Sequence, residues 1–240
     1  MSKLIERLIE LEADVRYQQA PADDEAEFRY VRGQIPILLS APHGAVHTRK
    51  GKSKEEDEYT AGMVCLVAEL THAHVLYARR KSRTDPNYYA DAPYKKRLKQ
   101  IVEQADIRFV LDIHGAAASR NFGIALGTMG GKSCPDHRDV IVHALEQHGF
   151  ERGGAGLNRL DVDHTFSGRG RRGQETVTGY VASKLGVPAA QFELNAHLRV
   201  VKRRGDATPQ GAFRGEPERI EKTVQALVAL IQHPLLRKKI

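Results

Sequence analysis

Two continuous apolar runs, "IPILLS" at 35–40 and "IRFVLDI" at 107–113, constrain this chain more than any other feature. Neither alternates between apolar and polar positions, so each reads as a strand buried on both faces of a sheet. Such a strand needs helices above and below it. Helical spacing runs over about 2–16, 57–73, 92–105, 137–149, 174–186 and 217–232, with Pro93 near one start and Gly149 after one end. In the second of these, Met63, Val64, Val67 and Leu70 share one face. Further strands are read at "FRYVRG", "HVLYARR", "FGIALGTM" and "AAQFELNAHLRV". The alternation predicts one domain over 1–240, a three-layer α/β/α fold with a mixed, mostly parallel sheet and its site at the carboxyl ends of the strands. Residues 1–30 read as an N-terminal helix and polar connector, and the glycine- and arginine-rich stretch 151–173 as a long loop.

Composition narrows the function classes. Hydrophobic residues make up 41% and charged residues 28%, as in ordinary globular domains. Cys65 and Cys134 form no CxxC pair and no disulfide framework, which fits a reducing, cytoplasmic setting. The start, "MSKLIERLIELEADVR", carries acids and is unlike a signal or transit peptide, and no apolar run approaches membrane-spanning length. A net charge of +7 admits nucleic acid or small acidic molecules as partners. The basic runs "RRKSR", "YKKRLK", "RGRR", "VKRRG" and "LRKKI" are interspersed with acids and fall in different elements. "GTMGGKS" lacks the spacing of a phosphate loop, and with 6% aromatics and no Trp there is little for bases to stack on. Neither a nucleic-acid partner nor a membrane is expected. No GxSxG motif is present, and Cys65 sits on an apolar helix face, so serine or cysteine nucleophile chemistry is not expected either.

Both apolar runs end in histidine followed by glycine, at His43-Gly44 and His114-Gly115. Strand ends converge in such folds, so one pocket can hold both imidazoles, and imidazole is a common zinc ligand. Glycine beside each lets backbone or substrate come close. Asp112, two residues before His114, lies on the same strand face and is a candidate to orient an imidazole. A third ligand would come from His47 or from Glu55, Glu56, Asp57 and Glu58. These acids also suit a first helical turn without any metal, and composition does not choose among them. Glu193, in "AAQFELN", shares a polar strand face with Gln191 and Asn195. That face is either simply wet or carries a general base.

Taken in order, "APHG…EDEYT…LDIHG…QFELN" resembles the N-formylglutamate amidohydrolase-like family of zinc hydrolases, related to the zinc carboxypeptidases and aspartoacylase. The resemblance covers about residues 35–200 and implies a phosphorylase/hydrolase-like, zinc-carboxypeptidase-related fold. It implies one Zn(2+) per chain on His43, Asp57 and His114, with Glu58 as the fallback carboxylate and Glu193 as the general base. Where relatives carry D-x-N-R, this chain has "DPNYY", so Asp85 and Asn87 match while Tyr88 replaces the arginine. Asn87 is therefore expected at the substrate, and Arg83 is the candidate to stand in for the arginine. Other cations able to hold a carboxylate are Arg79, Arg80, Arg120, Arg169, Arg171, Arg172 and Arg199. The expected substrate is a small acidic or acylated amino acid; a γ-glutamyl peptide or poly-γ-glutamate is the alternative.

Overall fold

The computed structural model describes residues 2–171 and 173–238. Strand parity explains its layering. In β2 (Ile35–Ala41) and β6 (Phe109–Ala116), Ile37, Leu39, Phe109, Leu111 and Ile113 face one apolar cluster. Leu38 and Val110 face the other. The first cluster is closed by α1 (Lys3–Glu12), α2 (Thr60–Thr71), α4 (Arg138–Gln147) and α6 (Pro217–Gln232). The second is closed by α3 (Pro93–Gln104) and α5 (Val177–Lys184).

Seven strands form the sheet between these layers. They are β2, β6, β1 (Phe28–Val31), β5 (Ala73–Ala78), β7 (Ile124–Gly127), β8 (Leu160–Val162) and β9 (Ala189–Asn195), in the order β1-β5-β2-β6-β9-β7-β8. The central four run parallel, as buried apolar strands joined by helices should. β1 is antiparallel to β5, and β7 is antiparallel to β9. The single-domain α/β reading with a mixed, mostly parallel sheet therefore describes the protein. Among the described residues, no helix is long and apolar enough to cross a membrane.

Three local features differ from the sequence expectation or add to it. Residues 151–173 are not all loop, because Leu160–Val162 forms β8 beside β7. A hairpin, β3 (His47–Arg49) and β4 (Lys52–Lys54), turns at Lys50 and Gly51, both with positive φ. Leu70, expected on the core face of α2, is 47% exposed, while most of that helix is buried between the sheet, α1 and α6. A short α7 (Pro234–Arg237) closes the described chain.

Candidate active site

The apolar lining of the α3/α5 face stops short of the strand ends. Beyond Val110 on β6 come Asp112 and His114, and beyond Ala189 on β9 come Gln191 and Glu193, all alternating onto the same face. The strands are parallel and in register, with His114 opposite Glu193. The end of β2 supplies His43. The turn before α2 supplies Asp57, whose backbone N–H donates to the His43 carbonyl at 2.8 Å.

These segments bring three donor atoms into a small triangle. His114 Nδ1 lies 3.2 Å from His43 Nδ1 and 3.4 Å from Asp57 Oδ2, and His43 Nδ1 lies 3.5 Å from that oxygen. The other nitrogen of each ring is taken by a buried carboxylate. His43 Nε2 donates to Asp85 Oδ1 at 2.9 Å, and His114 Nε2 to Asp112 Oδ2 at 3.0 Å. With a proton on each Nε2, the two Nδ1 lone pairs face the triangle, and that arrangement favours a positive charge there. Asp112 is itself held by the Ser40 hydroxyl at 2.9 Å.

Electrostatics point the same way. Burial opposes a charged His43, but the nearby carboxylates of Asp57 and Asp85 outweigh that and hold the imidazole above its ordinary value. Burial likewise opposes a charged His114, yet Asp112, Asp57 and Glu193 hold it well above. Burial would raise Asp57, but the two imidazoles keep it well below the usual carboxylate range. Glu193 lacks such close partners. Burial pushes it up to about 7 against the pull of His114, and its carboxylate accepts from Gln191 Nε2 at 2.8 Å.

Two other acids of the "EEDE" run turn elsewhere. Glu58 pairs with Arg203 at 3.1 Å, and Glu56 accepts from the Thr208 backbone and hydroxyl at 2.6 Å. None of the four lies in the first turn of α2. The carboxyl group at that helix start is Glu12 of α1, which accepts from the backbone N–H of Tyr59 at 2.9 Å and of Gly62 at 2.6 Å. Nothing local in the sequence marks this pairing. His47 stacks on His43 with ring centroids 3.9 Å apart, and burial, then His43, lowers its pKa to about 3. His43, His47 and Asp85 make a second cluster of donors, but Arg49 binds the Asp85 oxygen that faces His47, and a guanidinium there opposes a metal.

A cleft of about 540 Å³ opens beside the triangle, lined by Arg49, Asn87, Arg169, Arg171, Gln191 and Glu193 among others. Asn87 accepts from the Val177 N–H at 2.7 Å, which turns its amide nitrogen to 3.1 Å from His114 Nε2. Arg83 is exposed and does not line this cleft. Arg49 does, and its guanidinium lies 5.7 Å from the centre of the Tyr88 ring. Arg79 and Arg80 pair with Glu25, Arg120 lies over Phe166, and Arg172 is outside the described residues. The two site glycines make room for the protein itself. A Cβ on Gly44 would lie 2.5 Å from the Ala78 carbonyl oxygen, and one on Gly115 2.5 Å from Arg199 Nη2.

No family model matches the chain, and no curated protein matches it. Among solved structures it is similar to gene product Atu2144 from Agrobacterium tumefaciens. The two are 13% identical, with 88% of this chain and 92% of that one covered and a TM-score of 0.54. It is also similar to a protein provisionally described as carboxypeptidase A from Shewanella denitrificans OS-217. That likeness is 14% identical over 95% of this chain and 68% of the other, with a TM-score of 0.52. The fold is carboxypeptidase-like. In this carboxypeptidase-like fold the donor triangle sits at the carboxyl ends of β2 and β6, the place that a mostly parallel sheet reserves for ligands.

Proposed function

We propose that this protein is a zinc-dependent amidohydrolase that cleaves the amide bond of an N-acylated acidic amino acid, in the manner of the N-formylglutamate amidohydrolases. The observation that carries the reading is the donor triangle with Glu193 beside it. Zinc–nitrogen bonds of 2.0–2.1 Å at tetrahedral angles put neighbouring donors about 3.3 Å apart. The three separations here are 3.2, 3.4 and 3.5 Å. His43 and His114 through Nδ1, and Asp57 through Oδ2, would hold one ion per chain. Bound there, zinc supplies Lewis acidity that acidifies a water and polarises a carbonyl.

The remaining chemistry belongs to the chain. Asp85 and Asp112 keep the two imidazoles in the tautomer that offers Nδ1. Glu193, buried beside the triangle, takes a proton from the attacking water and returns it to the departing nitrogen. Arg169 and Arg171 give the cleft the cationic end that an acidic substrate needs. Elemental analysis is expected to find about one zinc per chain, lost in His43→Ala and in His114→Ala. Glu193→Gln should keep the metal and lose turnover by roughly 10²–10⁴-fold. A wild-type protein that stays empty in zinc removes this reading; a Glu193→Gln protein of undiminished turnover removes the general base.

A further inference from the structure

Arg199, one of the cations that the sequence offers for a substrate carboxylate, is only 5% exposed. It follows the short 3₁₀ turn Ala196–Leu198 at the end of β9. Asn195 anchors that turn, accepting from the His197 N–H at 3.1 Å and donating to the carbonyls of Arg120 and Phe122 at 3.1 and 3.0 Å. The turn throws the guanidinium back beneath the site. There, among the described residues, its side-chain hydrogen bonds all go to main-chain carbonyls. Nε donates to Leu194 at 3.1 Å, Nη2 to Ala116 at 3.4 Å, and Nη1 to Glu58.

Those carbonyls are not scattered. Glu58 directly follows Asp57, Leu194 directly follows Glu193, and Ala116 lies two residues past His114. One planar group with donors in three directions thus grips the turn before α2 and the ends of β6 and β9, which no shared backbone ladder joins to that turn. The guanidinium lies against Gly115, where any side chain would overlap it. Among the described residues no carboxylate bonds the guanidinium directly; Asp57 and Glu58 act on it from farther off, and the carbonyl dipoles offset the cost of burial only if the geometry is kept. Lysine carries the same charge on a single nitrogen and lacks the fork that spans these acceptors.

We propose that Arg199 is a positioning residue that holds Asp57, His114 and Glu193 in mutual register by tying the main chain beside each of them to one buried guanidinium. The proposal rests on the function above in reading those three as ligands and base. Its test uses the full chain as wild type, Arg199→Lys and Arg199→Met. Leu145→Ala, in the core of α4 away from the site, is the control for lost stability alone. Cobalt(II) serves as the probe metal, read by its visible d–d spectrum and by competition with a chelator. Metal-free samples are read by the ¹⁵N shifts of the site imidazoles.

Arg199→Lys is expected to weaken cobalt binding about 10–100-fold, to change the d–d band pattern, and to move the His43 and His114 shifts in the metal-free protein. Leu145→Ala should lower the melting temperature and leave all of these where the wild type has them. Should Arg199→Met fail to fold, Arg199→Lys and Gly115→Ala, which crowds the same guanidinium, carry the test. Wild-type affinity, spectrum and imidazole shifts in Arg199→Lys would overturn the proposal, as would equal changes in Leu145→Ala. A wild type that takes up neither zinc nor cobalt removes the proposed function alone, and the metal-free imidazole shifts still decide the role of Arg199.

Discussion

The imidazoles of His43 and His114 turn their Nδ1 atoms toward each other at 3.2 Å, while Asp85 and Asp112 take the far nitrogen of each. A carboxylate in that position fixes the tautomer and raises the basicity of the ligand. Asp85→Asn and Asp112→Asn keep the shape and remove the charge. Each is expected to weaken zinc affinity about 10–100-fold with the fold intact, measured by chelator competition on samples matched by circular dichroism. Unchanged affinity in both would mean that the carboxylates only fill space.

An ion that binds the folded chain stabilises it by mass action. Zinc at about 100 times its Kd should add about 2.7 kcal/mol, or roughly 5–10 °C in Tm for a domain of this size. Scanning calorimetry with and without chelator measures this difference. His114→Ala should melt at one temperature in either buffer.

Glu12 carries a pH dependence of its own. It is fully buried, and burial raises its pKa from 4.5 to about 7 despite bonds from Tyr17, Gly62 and Tyr59. Between those values the folded protein keeps a proton that the unfolded chain has released. Stability is therefore highest below pH 4.5 for this group and falls as pH rises toward 7, by about 3 kcal/mol. Glu12→Gln, which cannot titrate, should be less stable at low pH and lack this slope. Urea midpoints at several pH values between 5 and 8 decide it; an identical slope in both proteins would remove Glu12 as the source.

Arg169 lines the cleft and donates from Nη2 to the Met129 carbonyl at 3.1 Å, without touching the donor triangle. Arg169→Ala should raise KM for an acidic substrate about tenfold and leave kcat nearly unchanged, as expected for a lost charge-assisted bond worth about 1.5 kcal/mol. Steady-state kinetics at two salt concentrations check this. A fall in kcat with KM constant would put Arg169 in the chemistry instead of in binding.

Gly44→Ala tests why a glycine follows His43. In a tolerant site this change gains about 0.4–1 kcal/mol through the unfolded state. Here the added methyl meets the Ala78 carbonyl oxygen at 2.5 Å, so a loss of about 1–3 kcal/mol is expected in chemical denaturation. A neutral or stabilising outcome would return that glycine to the role of leaving room for a substrate.

What could be read in the residues was what local pattern encodes. The continuous runs of β2 and β6 and the periodicity of the helices give the sheet and its layers, and the histidines mark where strands stop. The hairpin at 47–54 escaped because "HTRKGKSK" has no apolar alternation, and β8 because a three-residue strand carries almost no period. Glu12 and Arg199 escaped for another reason. Their meaning lies in partners distant along the chain, Tyr59 for the one and Glu58 for the other. Glycine beside the histidines was noticed, but its neighbours, a backbone carbonyl and a buried guanidinium, belong to the tertiary structure.

The donors of the triangle leave the chain at the end of β2, at the turn before α2 and at the end of β6, and α2, β5 and α3 are threaded between the outer two. Parallel pairing across such crossovers is among the slower events in folding, since distant segments must meet before any contact rewards them. A newly made chain thus offers an incoming ion only isolated imidazoles. On the proposed function, capture would wait for the completed sheet, and the ion would arrive late, locking a finished product with no part in seeding one.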